Sequence, residues 1–155
     1  LFRSSIPTGN DILNGDLAVN GRLTVSENIA DLAGLLAAYD AYQLSLGGKP
    51  ALVVFWRPGC PYCREELPSA LKAATDRGVQ AIAIQIAEGK AAGTQVLGQL
   101  GWTGVDLVDD GTLRRDLAVR QVPWTLVLRG DGTAARAFVG RQSYATLESA
   151  LGGVK

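Results

Sequence analysis

The chain of 155 residues contains no histidine and no methionine. The absence of histidine excludes catalytic arrangements in which an imidazole acts as the base, such as a Cys–His pair or a Ser–His–Asp triad. It also excludes every metal site that needs a histidine ligand. A reactive thiol in this protein must therefore be activated by other means.

Cysteine is scarce as well, since the chain has only Cys60 and Cys63. A small scaffold held together by disulfides needs more cysteines at wider spacing. A bond between two cysteines this close shuts a very short loop and adds little chain-entropy stabilisation. The two cysteines are therefore predicted to take part in a reaction rather than to stabilise the fold.

An excess of charge of either sign is missing, because 15 acidic residues balance 15 basic ones. This balance gives no reason to expect nucleic acid or an anionic membrane as a partner. Long apolar runs are missing too: the longest covers residues 51–56, far below the roughly 20 residues that span a bilayer.

Periodicity and turn signals divide the chain into a tail over residues 1–16 and one domain over residues 17–155. Asn20-Gly21 between two short strand-like runs predicts a β-hairpin, and apolar residues at helical spacing predict a helix over residues 28–46. Further strands are predicted at residues 51–56, 79–87, 106–108, 125–128 and 134–139. One helix is predicted from the cysteine pair to Gly78, and Pro68 is expected to kink it. Three more helices are predicted at residues 90–100, at residues 112–118 and after Ser143, which would cap the last of them. This order predicts an α/β fold with three layers, in which helices cover both faces of a mixed central sheet.

The motif Cys60-Pro61-Tyr62-Cys63 follows the buried strand and opens the next helix. Backbone N–H groups and the helix dipole at a helix N-terminus stabilise a thiolate, and Pro61 suits the first turn because its missing N–H is not needed there. Cys60 is therefore predicted as the exposed attacking thiolate, and Cys63 as the thiol that resolves a mixed disulfide. Arg57 either favours the thiolate by its charge or is simply solvated.

Two other interpretations of the pair remain. The cysteines are either unreactive and buried, or half of a zinc site, although no other cysteine or histidine in the chain can complete that site.

Residues 53–68 (VVFWRPGCPYCREELP) resemble the active-site segment of the thioredoxin superfamily. The ending Glu66-Leu67-Pro68 resembles the TlpA/ResA/DsbE branch of bacterial extracytoplasmic thiol–disulfide oxidoreductases. The resemblance extends from about Leu17 to the C-terminus. It implies a thioredoxin fold with an N-terminal hairpin and an inserted central helix near residues 90–101, and it implies no cofactor and no metal.

The resemblance also implies site residues outside the cysteine motif. Pro123 matches the cis-proline that faces the active site, so Val122 is expected to offer backbone groups to an extended substrate. Glu88 matches an acidic position near the cysteines, where it acts as a general base or is a solvated loop charge. Trp56 matches a residue that packs beneath the active site, and is equally a core aromatic.

The predicted substrate-binding surface combines Pro61, Tyr62, Val122, Pro123 and Trp124. Relatives usually carry a small polar residue where this chain has Trp124. Its indole therefore either contacts substrate, narrowing specificity, or faces the core.

The direction of electron flow is not set by the motif alone. Pro-Tyr between the cysteines is also the glutaredoxin pair, whose potentials lie at roughly −200 to −230 mV, between thioredoxin at about −270 mV and DsbA at about −120 mV. The motif lacks the histidine of very oxidising relatives, which favours a reductase. A monomer is expected, because the cysteine motif must stay exposed. The resemblance implies a location in the periplasm or another extracytoplasmic compartment, with an anchor in a segment that would precede Leu1. The resemblance also implies that the protein reduces protein substrates such as apocytochrome c, with electrons from a membrane thiol–disulfide carrier.

Other functions fit the same residues. Within redox chemistry, the alternatives are a disulfide oxidase and a metal-resistance thiol protein. Outside it, two thiolates can hold Cu(I), as in a copper chaperone, although the chain lacks the histidine or methionine that such carriers recruit. A structural domain with an incidental disulfide is a third class.

Overall fold

The structure, a computed structural model, describes residues 49–154. The predicted tail over residues 1–16, the hairpin at Asn20-Gly21 and the helix over residues 28–46 lie outside the described residues. Within residues 49–154, no helix combines the length and the hydropathy that crossing a bilayer requires.

Residues 49–154 form a mixed sheet of five strands in the order β3-β2-β1-β4-β5. The strands are β1 (Ala51–Trp56), β2 (Gln80–Gln85), β3 (Val105–Val108), β4 (Trp124–Leu128) and β5 (Ala134–Val139). β1 pairs in parallel with β2, and β2 with β3. β4 runs antiparallel to both β1 and β5, which confirms the predicted mixed sheet. β2 ends earlier than predicted, since residues 86 and 87 leave the sheet and enter the groove described below.

In the described part of the chain, four helices cover the sheet: α1 (Pro61–Arg77), α2 (Lys90–Gln99), α3 (Thr112–Asp116) and α4 (Tyr144–Leu151). Apolar residues of α1, α2 and α4 pack in one cluster with one face of β1. Leu113 of α3 packs in a second cluster with the other face of that strand. Helices therefore lie on both faces of the sheet, as predicted.

β1 is the centre of both clusters, and all six of its residues are fully buried. Successive side chains of a strand point to opposite faces, so a strand covered on both sides must be apolar throughout. Ala51, Val53 and Phe55 enter one cluster, and Leu52, Val54 and Trp56 enter the other.

α1 begins where the sequence predicts and runs for 17 residues, continuous through Pro68. Gly78 ends it in the left-handed conformation, with φ of 67°, and donates its N–H to carbonyls of the last turn. This conformation is open to glycine at little steric cost. At the other end of the chain, the Ser143 hydroxyl accepts the N–H of Thr146 and caps α4 as predicted.

Candidate redox active site

Cys60 and Cys63 are joined by a disulfide at the N-terminus of α1, with their Cα atoms 5.3 Å apart. Cys60 is the N-cap residue, and its sulfur accepts the N–H of Cys63 at 3.1 Å. The same N–H group and the helix dipole would stabilise a thiolate on Cys60 after reduction. Cys60 is only 5% exposed and Cys63 is fully buried, so the prediction of an exposed Cys60 is wrong for the disulfide form.

The sulfur of Cys60 nevertheless faces a groove of about 530 Å³. Pro61, Tyr62 and Val122 line this groove beside Cys60, and Tyr62 is 60% exposed. Cys60 Sγ lies 3.7 Å from the carbonyl oxygen of Val122. The structure thus brings together predicted site residues that are far apart in the sequence.

The peptide bond between Val122 and Pro123 is cis, as the resemblance implies. Pro123 itself is buried. The bond lies just before β4, the strand that pairs with β1, and β1 leads into the cysteine motif. This pairing is what carries Val122 to the sulfur of Cys60.

Trp124 belongs to the core rather than to the groove surface. Its side chain packs edge-on against Phe55, with the ring centroids 5.4 Å apart, and the residue is 7% exposed. The core-facing alternative is therefore correct. The assignment of the Trp124 indole to substrate binding is corrected, because β4 points this side chain into the cluster on the α3 face.

Trp56 is fully buried in the cluster that contains both cysteines. Its placement beneath the disulfide agrees with the resemblance and with a core role alike. Its indole N–H has no hydrogen-bond partner among residues 49–154.

Glu88 lies beside the loop that leads into the cysteine motif. Its Oε1 is 3.8 Å from Nη1 of Arg57, and a Cβ built on Gly59 would lie 3.2 Å from the same oxygen. Glu88 has a positive φ of 65°. The side-chain amide of Gln85 donates to the carbonyls of residues 87, 88 and 89, which holds this turn in place. The role of Glu88 as a general base stays a prediction.

Glu66 is a buried carboxyl group that sequence reasoning did not assign to the site. It is fully buried on α1, and Thr125 Oγ1 donates to its Oε1 at 2.5 Å while the backbone N–H of Gln142 donates to Oε2 at 2.6 Å. Burial raises the pKa of Glu66, and these two hydrogen bonds and the charge of Arg141 partly offset that rise. The available signal was its spacing: Glu66 follows Cys63 by three residues, on the buried face of the helix.

No group of three or more histidine, cysteine, aspartate or glutamate side chains within residues 49–154 converges as metal ligands. The two cysteine sulfurs are bonded to each other. A disulfide at a helix N-terminus supports the cycling of one disulfide and its dithiol.

A sequence profile of the thioredoxin-like domain matches residues 40–155. The chain belongs to the thioredoxin-like domain family. A profile of peptidase family M13 also matches residues 7–56. That match covers less than half of the chain, lies mostly outside the described residues and assigns nothing to the site.

Two curated proteins resemble part of the chain. The chain is 34% identical over 100 residues to the thiol:disulfide interchange protein DsbE of Pseudomonas aeruginosa, covering 63% of this chain and 55% of that protein. It is 32% identical over 111 residues to the soluble secreted antigen MPT53 of Mycobacterium tuberculosis, covering 70% of this chain and 63% of that protein. The chain thus matches little more than half of the length of these relatives.

Solved structures agree on the fold. A secreted Mycobacterium tuberculosis disulfide oxidoreductase homologous to Escherichia coli DsbE superposes with a TM-score of 0.64 at 26% identity, covering 71% of this chain and 85% of that one. The DsbF protein from the same organism, in mixed oxidised and reduced forms, superposes with a TM-score of 0.63 at 27% identity, covering 69% and 81%. The thioredoxin-like domain family and the three-layer fold therefore agree with the sequence-based prediction.

Proposed function

We propose that this protein is a thiol–disulfide oxidoreductase that exchanges disulfides with protein substrates through Cys60 and Cys63. One observation carries the proposal: the Cys60–Cys63 disulfide caps a helix N-terminus and faces a groove that the carbonyl of Val122 borders. Disulfide exchange requires a stabilised thiolate, a neighbouring thiol that resolves the mixed disulfide, and room for a polypeptide. Family membership and the likeness to DsbE support the same activity.

The exchange balances as two successive displacements. In the reducing direction, the Cys60 thiolate attacks one sulfur of the substrate disulfide, forms a mixed disulfide and releases the other sulfur as a thiolate, which takes up a proton. Cys63 then loses its proton and attacks Cys60 Sγ. The Cys60–Cys63 disulfide forms, the second substrate thiol leaves, and two electrons have passed from the protein to the substrate.

Glu88 and the groove residues have assigned roles in this scheme. Glu88 is the candidate acceptor for the proton of Cys63, because it lies next to Gly59, immediately before the motif. Pro61, Tyr62 and Val122 form the surface against which an extended substrate segment rests, and the buried Pro123 positions the backbone of Val122 through the cis bond. The reaction uses no cofactor.

We further propose that the protein works as a reductase outside the cytoplasm, in the manner of cytochrome c maturation. A membrane thiol–disulfide carrier would regenerate the dithiol, and apocytochrome c is one candidate substrate. A monomeric protein suits this role, because the groove must stay open to other proteins. The likeness to DsbE and to a secreted antigen supports this assignment, as does the absence of histidine from the motif.

The reduction potential of the Cys60–Cys63 pair tests the direction. Equilibration with glutathione or dithiothreitol, followed by tryptophan fluorescence, is expected to give a potential near those of glutaredoxin or thioredoxin, at about −200 to −270 mV. A potential close to about −120 mV would instead identify an oxidase and would remove the maturation assignment.

The roles of the two cysteines are tested by insulin reduction with dithiothreitol. Cys60→Ser is expected to abolish turnover, and Cys63→Ser to accumulate a mixed disulfide with substrate that is visible on a non-reducing gel. Full insulin reductase activity in Cys60→Ser would show that the assignment is wrong.

A further inference from the structure

Arginine is concentrated in the groove that contains Cys60. Arg57, Arg114 and Arg120 line this groove, and no aspartate or glutamate among residues 49–154 lines it. All three arginines are exposed. Since the chain as a whole has no net charge, this concentration is a local property of the groove.

The arginines continue beyond the groove. Arg114 and Arg120 also border a neighbouring hollow of about 320 Å³ on α3, where Arg115 joins them. We call the surface formed by Arg57, Arg114, Arg115 and Arg120 the basic groove. It begins at the sulfur of Cys60 and runs past Val122 to α3.

The positive charge of the basic groove is only partly neutralised by its surroundings. Arg57 lies 3.8 Å from Glu88, and Arg115 lies 3.4 Å from the adjacent Asp116. Arg114 and Arg120 form no ion pair with any residue in the described part of the chain. Within residues 49–154, these two guanidinium groups are therefore available to an incoming carboxylate.

Acidic side chains near α3 are directed elsewhere. The Asp109 carboxylate accepts the backbone N–H groups of Leu113 and Arg114, and Asp110 accepts that of Thr112. These carboxylates cap α3, and neither of them forms an ion pair with Arg114 or Arg120. Arginine also presents a planar fork of donors that fits a carboxylate in two-point contact.

We propose that the basic groove selects protein substrates in which acidic residues flank the reactive disulfide. This inference rests on the proposed function, and it names the class of substrate on which that function acts. An extended segment whose cysteine lies at Cys60 would place its neighbouring aspartate or glutamate side chains against Arg114 and Arg120. Charges at an exposed site mainly speed the encounter of the two proteins and favour the correct partner.

The test uses three disulfide-containing peptides that share one length and one cysteine spacing. Glutamate, glutamine or lysine flanks the cysteines, and single-turnover reduction by the reduced protein is followed through tryptophan fluorescence. At low salt the glutamate peptide is expected to react roughly tenfold faster than the lysine peptide. The difference is expected to shrink at about 1 M salt, where the Debye length falls to about 3 Å.

A double variant tests whether Arg114 and Arg120 cause the faster reaction of the glutamate peptide. Arg114→Gln with Arg120→Gln is expected to slow the glutamate peptide roughly three- to tenfold and to change the glutamine peptide less than about twofold. The matched control is Lys49→Gln with Arg136→Gln, which removes two exposed charges outside the groove and is expected to keep the preference. The reduction potential of both double variants is expected to match that of the parent protein.

The outcomes separate this inference from the proposed function. Equal rates for the glutamate and lysine peptides, with the glutamine peptide still reduced, would overturn the inference and leave the proposed function standing. A preference that survives in Arg114→Gln/Arg120→Gln would also overturn it. Failure to reduce any of the three peptides would overturn the proposed function, and the inference with it.

Discussion

The side-chain oxygen of Gln85 lies directly against the backbone of Gly93, where a Cβ would sit 1.8 Å from Gln85 Oε1. Gln85 is fully buried at the end of β2, and its amide nitrogen donates to three successive carbonyls in the turn that carries Glu88. Gly93 on α2 thus leaves the space that Gln85 needs to hold this turn beside the redox motif.

Gly93→Ala is therefore expected to destabilise the protein. The new methyl group must displace Gln85 or α2, and overpacking of this kind costs about 1–3 kcal/mol of unfolding free energy. Gly98→Ala is the matched control on the same helix, because no atom of the residues that the structure describes would lie within 4 Å of its Cβ. Since alanine favours helix more than glycine does, the control is expected to gain up to about 1 kcal/mol. Urea unfolding measures both, and equal effects would show that Gly93 has no such packing role.

Glu66→Gln is expected to change how stability depends on pH. A carboxyl group whose pKa is raised in the folded state binds more protons when folded, so the unfolding free energy falls as pH rises from the ordinary value of 4.5 through the folded-state pKa. Glu66→Gln removes the carboxyl group that titrates, so this fall of the unfolding free energy with rising pH is expected to disappear.

Urea unfolding between pH 4 and pH 8, at intervals of about one unit, measures this slope. Glu65→Gln, an exposed neighbour that pairs with Arg141, is the control and is expected to keep the slope. The pH slope of the parent protein persisting in Glu66→Gln would show that another group causes it.

Substitutions of Trp124 and of Tyr62 are expected to have different effects, the first on stability and the second on substrate binding. Trp124→Ala removes a buried aromatic contact with Phe55 and is expected to cost about 3–5 kcal/mol. Tyr62→Ala changes an exposed residue of the groove and is expected to alter stability by less than about 0.5 kcal/mol while lowering kcat/KM for a protein substrate. Thermal unfolding and insulin reduction distinguish the two. A Tyr62→Ala variant with unchanged kcat/KM would remove Tyr62 from the substrate surface.

Glu88→Gln is expected to slow resolution of the mixed disulfide and to alter the pH profile of insulin reduction, because it removes the candidate proton acceptor. The control is Asp131→Asn, in the turn between β4 and β5. That turn follows the end of β4 remote from Pro123, so the control is expected to keep the profile of the parent protein. Identical profiles for Glu88→Gln and the parent protein would make Glu88 a solvated loop charge.

Local patterns account for the parts of the fold that were predicted well. The bounds of β1 and of the helix from the cysteine motif to Gly78 were predicted to within about one residue. Both elements depend on residues that are close in the sequence: a run of apolar residues for the buried strand, and capping residues for the helix. The end of β2 was predicted two residues too late, since Ile86 and Ala87 are apolar but border the groove instead of continuing the sheet. Strand ends of this kind depend on pairing with β1 and β3, which the sequence of β2 does not contain.

The sequence by itself determined the chemistry of this protein: two cysteines one helical turn apart, placed after a buried strand, with no histidine to assist them. Only the tertiary structure decided which residues beyond those implied by the resemblance join the cysteines, and which of the implied residues stay away from the groove. It buried Trp124 and Glu66, and it brought Arg114 and Arg120 to the groove of Cys60. The physical reason is that burial and electrostatic environment arise from contacts between distant segments, here through the pairing of β1 with β4, whereas motif spacing is a property of neighbouring residues.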